Sequence, residues 1–394
     1  MTEELSTPRR GRRLAAVLAG VLALGIVPFA FPAAAQTTAL PASQGTATAC
    51  PVDDGPDNTL GTADDTTEVP EDGFTDVTAD NVHEFVIDCI AWYQITSGTS
   101  ATGYSPALSV RRDQMATFVA QLIDYVADRT EATDDGLPAA PATNLFPCDV
   151  ETDNVHYANI QRLAEAAIVI GTGDNAAGEA CYDPSAPVTR DQMATYIREA
   201  QEVVGTPIPN VAEGTDYFFD DDGNPHEGSI NAIAGEGIIR GTGQNAAGEN
   251  AYAPRDNVRR DQMASFLATK LDRLLEDTGV EPPPTATAAA DPVVLAATGD
   301  TTVDVTVTAV RGEIEAATVS GCGVSATPLV VAAGGQTASE DIVIPDAQDA
   351  DCQLTVEIDF VDEAAGVFGG TDRTQTIVID VAADTTTTTP TTAA

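Results

Sequence analysis

A ten-residue segment occurs three times in the chain, as VRRDQMATFV at 110–119, VTRDQMATYI at 188–197 and VRRDQMASFL at 258–267. Recurrence constrains a fold strongly, because each copy has to be the same supersecondary unit. The likeness extends upstream of the segment. Counting from His83, His156 and His226, isoleucine stands at +4 (Ile87, Ile160, Ile230), an aliphatic residue at +7 (Ile90, Leu163, Ile233) and alanine at +8 (Ala91, Ala164, Ala234). Isoleucine returns at +12 (Ile95, Ile168, Ile238) and glycine follows at +15 (Gly98, Gly171, Gly241). Tyr104, Tyr182 and Tyr252 each precede a proline by two residues, and Met115, Met193 and Met263 lie nine residues past that proline.

Positions +4, +7, +8 and +12 share one face at a period near 3.6, which predicts a helix from each histidine. The +15 glycine is expected to end it as a left-handed residue. A second helix is predicted from each Arg-Asp-Gln. Thr189-Arg190-Asp191-Gln192 has the form of a capping box, whereas Arg111 and Arg259 hold the capping place in the other copies, predicting weaker starts there. Met115, Phe118, Val119, Leu122 and Val126 form an apolar stripe, repeated in the later copies. A pair of helices cannot bury both stripes alone, so the copies, at 73–130, 143–203 and 216–277, are expected to pack on one another.

The chain opens with an export signal. Arg9, Arg10, Arg12 and Arg13 precede an apolar run from Leu14 to Phe31, and Ala33-Ala34-Ala35 supplies a cleavage site, giving a signal peptide over 1–35. Arg12-Arg13 leaves the choice between the general and twin-arginine routes open. Loss of four arginines and two glutamates takes the net charge from −43 to −45, with Lys270 as the one lysine. Such a surface excludes nucleic acid and, after signal removal, anionic membranes as partners, and favours cations. No other segment is apolar enough to span a bilayer. Six cysteines behind an export signal predict disulfides, and locality favours Cys50–Cys89, Cys148–Cys181 and Cys322–Cys352, one of fifteen connectivities. Each is expected to stabilise by roughly 3–4 kcal/mol.

Residues 36–72, rich in Thr, Asp, Pro and Gly, read as a flexible acidic leader. Two acidic stretches, Asp53–Asn58 with Asp64-Asp65 and Asp220–Asn224, hold carboxylates at spacings that calcium could use, although neither fits the EF-hand template and both are read as solvated loops. A Pro-rich linker is expected over 278–290. Beyond it the period turns to alternation at Val303–Val307, Ile342–Ile344, Leu354–Phe360 and Thr376–Val381, predicting strands. The fold class expected is therefore multidomain: all-α helix–loop–helix repeats, then an all-β sandwich of immunoglobulin-like shape over 291–383. A Thr-rich tail, 384–394, closes the chain.

The repeat closely resembles the S-layer homology (SLH) module. Phe74-Thr75-Asp76-Val77 and Phe146-Pro147-Cys148-Asp149-Val150 match that family's F-x-D-V entry, with Phe219-Asp220 as a partial third. Ile238-Ile239-Arg240-Gly241 matches its glycine turn, and Val188-Thr189-Arg190-Asp191-Gln192 its T-R-A-E segment, with Gln for Glu and Asp for Ala in all three copies. The resemblance spans about 73–278. It implies three modules in a pseudo-threefold bundle that binds a secondary cell-wall polysaccharide. It also implies that Arg112, Arg190 and Arg260, with the turn glycines Gly98, Gly171 and Gly241, meet acidic sugar groups.

A guanidinium can grip a carboxylate by two parallel hydrogen bonds, so the three arginines are the glycan-binding candidates. The competing reading has them paired with neighbouring acids to fix helix packing. The histidines, one per copy, read as structural residues at helix starts. Trp92 and the recurrent tyrosines could stack on sugars, but core packing is commoner for them. No nucleophile–base pair and no metal cluster is visible, so the chain is not expected to be an enzyme, and no cofactor is expected beyond calcium. The function read from the sequence is an exported cell-envelope protein, secreted to the wall or cell surface and anchored to its polysaccharide. The alternative is a self-assembling surface-layer or adhesive protein in which the bundle is a packing unit.

Overall fold

The structure, a computed structural model, describes residues 38–53, 66–67, 69–70, 73–129, 136–296, 299–345, 351–361 and 374–382. The signal peptide, most of the first acidic stretch and the Thr-rich tail lie outside the described residues.

Each repeat supplies a short helix and a long one: α1 (Glu84–Trp92) and α2 (Arg112–Ala127), α3 (Tyr157–Glu165) and α4 (Arg190–Val203), α5 (Glu227–Gly235) and α6 (Arg260–Thr278). The short helices end six residues before the expected glycine. Their left-handed residues are Gln94, Ala167 and Gly237, at +11. The amide of the +12 isoleucine then reaches back to the +7 carbonyl, as Ile95 N–H to Ile90 O at 2.9 Å and Ile238 N–H to Ile233 O at 3.0 Å. This is a Schellman closure, with the isoleucine as its apolar cap. Among the +15 glycines only Gly98 has a positive φ, 75°. Their shared task is close approach: a Cβ would lie 2.6 Å from Gly103 O at Gly98, 2.6 Å from Cys181 O at Gly171 and 2.5 Å from Ala251 O at Gly241.

The long loops of the second and third repeats are not irregular, so the repeats are not purely helical. Gly173–Asp174 pairs with Ala180–Cys181, and Gly243–Gln244 with Asn250–Ala251, as small antiparallel hairpins. A phenylalanine lies over the tyrosine of each loop (Phe74–Tyr104, Phe146–Tyr182, Phe218–Tyr252), with ring centroids 5.1–5.5 Å apart. In the third repeat this residue is Phe218, fully buried, and not the Phe219 suggested by the motif, which is 38% exposed.

The starts of α2 and α6 are not weaker than that of α4. Arg111 forks onto Asp113 through Nε (3.0 Å) and Nη2 (2.7 Å), and Arg259 does the same with Asp261. The aspartate in turn accepts the amide of the following glutamine, 2.7 Å in each copy. An arginine has no acceptor with which to cap a helix, so here it acts by orienting the carboxylate that does. Thr189 fills the same role through a hydrogen bond to Asp191.

The leader is ordered where it is described. Thr48 and Ala49 donate their amides to Asp272 Oδ1 (2.7 and 2.9 Å), Gln44 Nε2 donates to Asp272 Oδ2 (2.8 Å), and Tyr93 Oη donates to Ala49 O (2.7 Å). The Cys50–Cys89 disulfide ties it to α1. Gly237 has no room for a Cβ, because Ala42 O and Gln44 N lie against it. The sequence looked flexible because this strap is held by backbone amides on one buried carboxylate, which leave no apolar periodicity to read.

The C-terminal region holds two four-stranded antiparallel sheets around one core. Its strands are β1 (Thr285–Asp291), β2 (Thr301–Arg311), β3 (Ile314–Gly321), β4 (Val324–Pro328), β5 (Val330–Val331), β6 (Thr337–Ile344), β7 (Cys352–Phe360) and β8 (Thr374–Val381). One sheet has the order β4-β3-β7-β8 and the other β5-β6-β2-β1. Val303, Val305 and Val307 of β2 face Leu354, Val356 and Ile358 of β7 within the shared core, all fully buried. Alternation made β2, β6, β7 and β8 legible. β1 lies partly inside the stretch expected as linker, since its Thr-Ala-Thr-Ala-Ala-Ala sequence carries too little apolar bulk to announce a strand. Cys322–Cys352 joins the β3–β4 turn to the start of β7.

Lys270, on α6, is fully buried and contacts Gln201 of α4, whose Nε2 donates to Asp277 at 3.0 Å. Burial pushes its amine well below the usual lysine range, while Asp277 pulls it back. The folded chain thus disfavours the proton that the unfolded chain takes up, and stability should rise with pH towards lysine's ordinary pKa. Lys270→Met is predicted to stabilise by about 1–3 kcal/mol at pH 7 and to flatten this rise, as read by urea denaturation at pH 7 and 9. A Cys50→Ser/Cys89→Ser variant is predicted to keep its helices by circular dichroism while proteolysis within 38–50 accelerates at least severalfold.

Candidate functional site

The three repeats join head to tail, and the third joins the first. Each short helix packs on the long helix of the preceding copy: α3 on α2, α5 on α4 and α1 on α6. At the centre, the amide of Val188 donates to Val110 O (2.8 Å), that of Val258 to Val188 O (2.9 Å) and that of Val110 to Val258 O (2.9 Å). All three valines are fully buried. The first two amides of each long helix, which have no intrahelical partner, find carbonyls in the next copy's loop. Arg112 and Asp113 donate to Ala186 O and Pro184 O, Arg190 and Asp191 to Asp256 O and Pro254 O, and Arg260 and Asp261 to Leu108 O and Pro106 O, at 2.9–3.1 Å.

The candidate arginines belong to this junction. Arg112, Arg190 and Arg260 are 8%, 6% and 2% exposed. Arg112 Nε donates to Tyr182 O (2.8 Å), Arg190 Nε to Tyr252 O (2.8 Å) and Arg260 Nε to Tyr104 O (2.7 Å). Each guanidinium lies 4.4–4.5 Å from the centre of the same tyrosine's ring. Each tyrosine hydroxyl donates back to the arginine's own carbonyl, at 3.1, 2.8 and 2.9 Å. In this arrangement the three guanidiniums are buried, not open to acidic sugars, and they fix the packing of the long helices through carbonyls in place of neighbouring acids. A buried guanidinium needs partners for its donors, and in each copy the loop carbonyl takes Nε while the tyrosine face covers the guanidinium plane. Nη2 of Arg112 and Arg190 reach Ile170 O (3.1 Å) and Arg240 O (3.2 Å), while Nη2 of Arg260 has no partner beside the shorter first loop.

The remaining repeated polar residues are also structural. Asp76, Asp149 and Asp220 each accept two loop amides at 2.7–2.8 Å, from Tyr104 and Ser105, Tyr182 and Asp183, and Tyr252 and Ala253. Nδ1 of His156, His226 and His83 meets the hydroxyl of Thr117, Thr195 and Ser265 in the preceding copy, at 2.7–2.8 Å. Tyr104, Tyr182 and Tyr252 are fully buried. Cys148, Asp149 and Cys181 lie close together, but the sulfurs are joined as a disulfide and the carboxylate is taken by its amides.

Open crevices lie instead at the glycine turns. One, of about 570 Å³, is lined by Arg240, Gly241, Gln244 and Asn250 with Thr38 and Leu40 of the strap. Arg240 is exposed, and its Nη1 donates to Pro41 O at 2.6 Å. The equivalent first-repeat turn opens into a cleft of about 400 Å³ lined by Trp92, Thr96, Ser97 and Ala101, with Pro284 and Gln375 of the C-terminal region. Arg240 does not recur, Ile170 and Ser97 standing in its place, so repetition does not mark it as a site residue. Its position directly before the turn glycine was the available signal.

The S-layer homology domain model matches the chain at residues 152–194 and 220–264, the second and third repeats. The chain carries S-layer homology domains. Domains of this family generally anchor proteins to cell-wall polymers of the envelope, and they indicate association with the cell surface or wall. No curated protein matches the chain. Among solved structures it is similar to an endo-β-1,4-mannanase from Thermotoga petrophila at 11% identity, over 79% of this chain and 73% of that one, but with a TM-score of 0.20, which carries no argument. Among the described residues, no helix is long and apolar enough to cross a membrane.

Replacing any one junction arginine by Met is predicted to destabilise the protein by about 2–4 kcal/mol, since loop carbonyls are left buried without donors. Arg240→Ala should cost less than about 0.5 kcal/mol. Guanidinium denaturation of the four single variants checks both.

Proposed function

We propose that this is an exported cell-envelope protein whose first repeat is a third SLH module, so that the three close into a pseudo-threefold unit. That unit anchors the chain non-covalently to a cell-wall polysaccharide and presents the C-terminal two-sheet region as an immunoglobulin-like sandwich. The observation that carries the reading is the junction itself. The first repeat gives and receives the same arginine, tyrosine, histidine and valine contacts as the two copies that match the family. The glycan contact is assigned to the glycine-turn crevices, with Arg240 as the cation that meets an acidic sugar group. The reading gives the chain no reaction to catalyse.

A sedimentation assay of the full mature chain with purified cell-wall material tests the proposal. Binding is expected, and Arg240→Ala should weaken it at least tenfold without changing the unfolding midpoint. Undiminished binding by Arg240→Ala would remove that crevice from the account. Failure to bind, together with lattice formation by the protein alone, would favour self-assembly as its function.

A further inference from the structure

In the F-x-D-V entry, the residue after the loop-pinning aspartate faces the core. It is Val77 in the first repeat and Val150 in the second, where Val150 is 1% exposed. In the third it is Asp221, also 1% exposed, and neither of its carboxylate oxygens has a hydrogen-bond partner. An ionised carboxylate in an apolar slot costs several kcal/mol unless something compensates it. The neighbours make matters worse. Burial raises the pKa of Asp221 to about 7, with the charges of Asp216, Glu227 and Asp220 adding to the rise. Asp216 is raised in turn, by burial and then by the charges of Asp222 and Glu227.

We propose that Asp221, Asp216 and Glu227 form a divalent-cation site that takes Ca²⁺. The chemistry suits a hard cation, with three carboxylates and neither sulfur nor imidazole in the set. Asp220 is not a ligand, because the amides of Tyr252 and Ala253 occupy both its oxygens. The scaffold is a tight turn: Asn224 N–H donates to Asp221 O (2.9 Å), and Gly223 N–H donates to Glu227 Oε2 (2.9 Å) on the first turn of α5. Asp216 is held from the other side, its Oδ1 accepting the amide of Phe218 at 3.2 Å. The three carboxylates are not drawn together as a ready-made ligand set, so the proposal requires Ca²⁺ to pull Glu227 and Asp216 onto Asp221. The site is particular to the third repeat. The second repeat has Asn144 in the place of Asp216 and Tyr157 in the place of Glu227, and the amide of Asn144 there donates to Val150 O at 2.8 Å. Closure would stiffen the junction between the second and third repeats, since Asn224 of the same turn donates to Asp191 at 2.8 Å.

The test is thermal unfolding of the full mature chain, stripped with chelator and then titrated with CaCl₂ in 150 mM NaCl, for the wild type and Asp221→Val. This substitution installs the residue that the other repeats use. Wild-type Tm is expected to rise on the order of 5 °C at saturating Ca²⁺. Asp221→Val should unfold in chelator no lower than the wild type and lose the response. Glu227→Gln should weaken the midpoint Ca²⁺ concentration about tenfold, which keeps the proposal open to refutation even if Asp221→Val does not fold. An equal Ca²⁺ response in wild type and both variants would overturn it, since the acidic surface would then be collecting the ion unspecifically. So would an unresponsive wild type whose Tm climbs as pH falls from about 7 towards 4. In that case Asp221 is a buried acid kept protonated: its folded pKa exceeds its unfolded one, and acid relieves the buried charge.

Discussion

A guanidinium sealed between repeats organises the helical half of this protein. The arginine at the start of each long helix points into the next copy, where a tyrosine supplies a carbonyl for its Nε and a ring face for its plane. The same tyrosine returns a hydrogen bond through its hydroxyl. Each arginine Nε and each of these tyrosine carbonyls is paired across a junction. Because three copies are arranged so that the last meets the first, no copy ends with exposed junction groups. This also explains why the nine-residue helices α1, α3 and α5, short by the standards of independent stability, can hold regular structure.

The junction sets what is free for function. Aspartates, histidines, tyrosines and arginines that recur at one place per copy are all committed to holding loops and helix starts. Features that differ between copies stand apart from this role: Arg240 at one glycine turn, the strap lying across the third repeat, and Asp221 in a slot where the others carry valine. Recurrence here marks architecture, and departure from it marks specialisation.

That distinction explains how far the sequence could be read. The repeat period, the helix faces and the strand alternation are local patterns of side-chain polarity, and they foretold α1 to α6 and four of the strands. The fate of Arg112, Arg190 and Arg260 was not legible, because their acceptors are backbone carbonyls some 60 to 160 residues away, with no side-chain signature. The strap was missed for a similar reason, its amides converging on the single carboxylate of Asp272. In the Phe218-Phe219 pair the sequence offers two candidates for the entry phenylalanine, and only burial separates them. β1 is too poor in bulky residues to stand out, and is held as a strand by its pairing with β2.

Native-state hydrogen exchange at Val110, Val188 and Val258 tests the closed ring most directly, because their three amides form a cycle of one hydrogen bond per junction. If the repeats close on one another, the three should exchange with the same free energy, equal to that of unfolding the helical region, and should lose protection together under mild denaturant. Exchange of one of the three through a distinctly cheaper opening, with the other two still protected, would mean that the copies form an open chain, and would contradict the account.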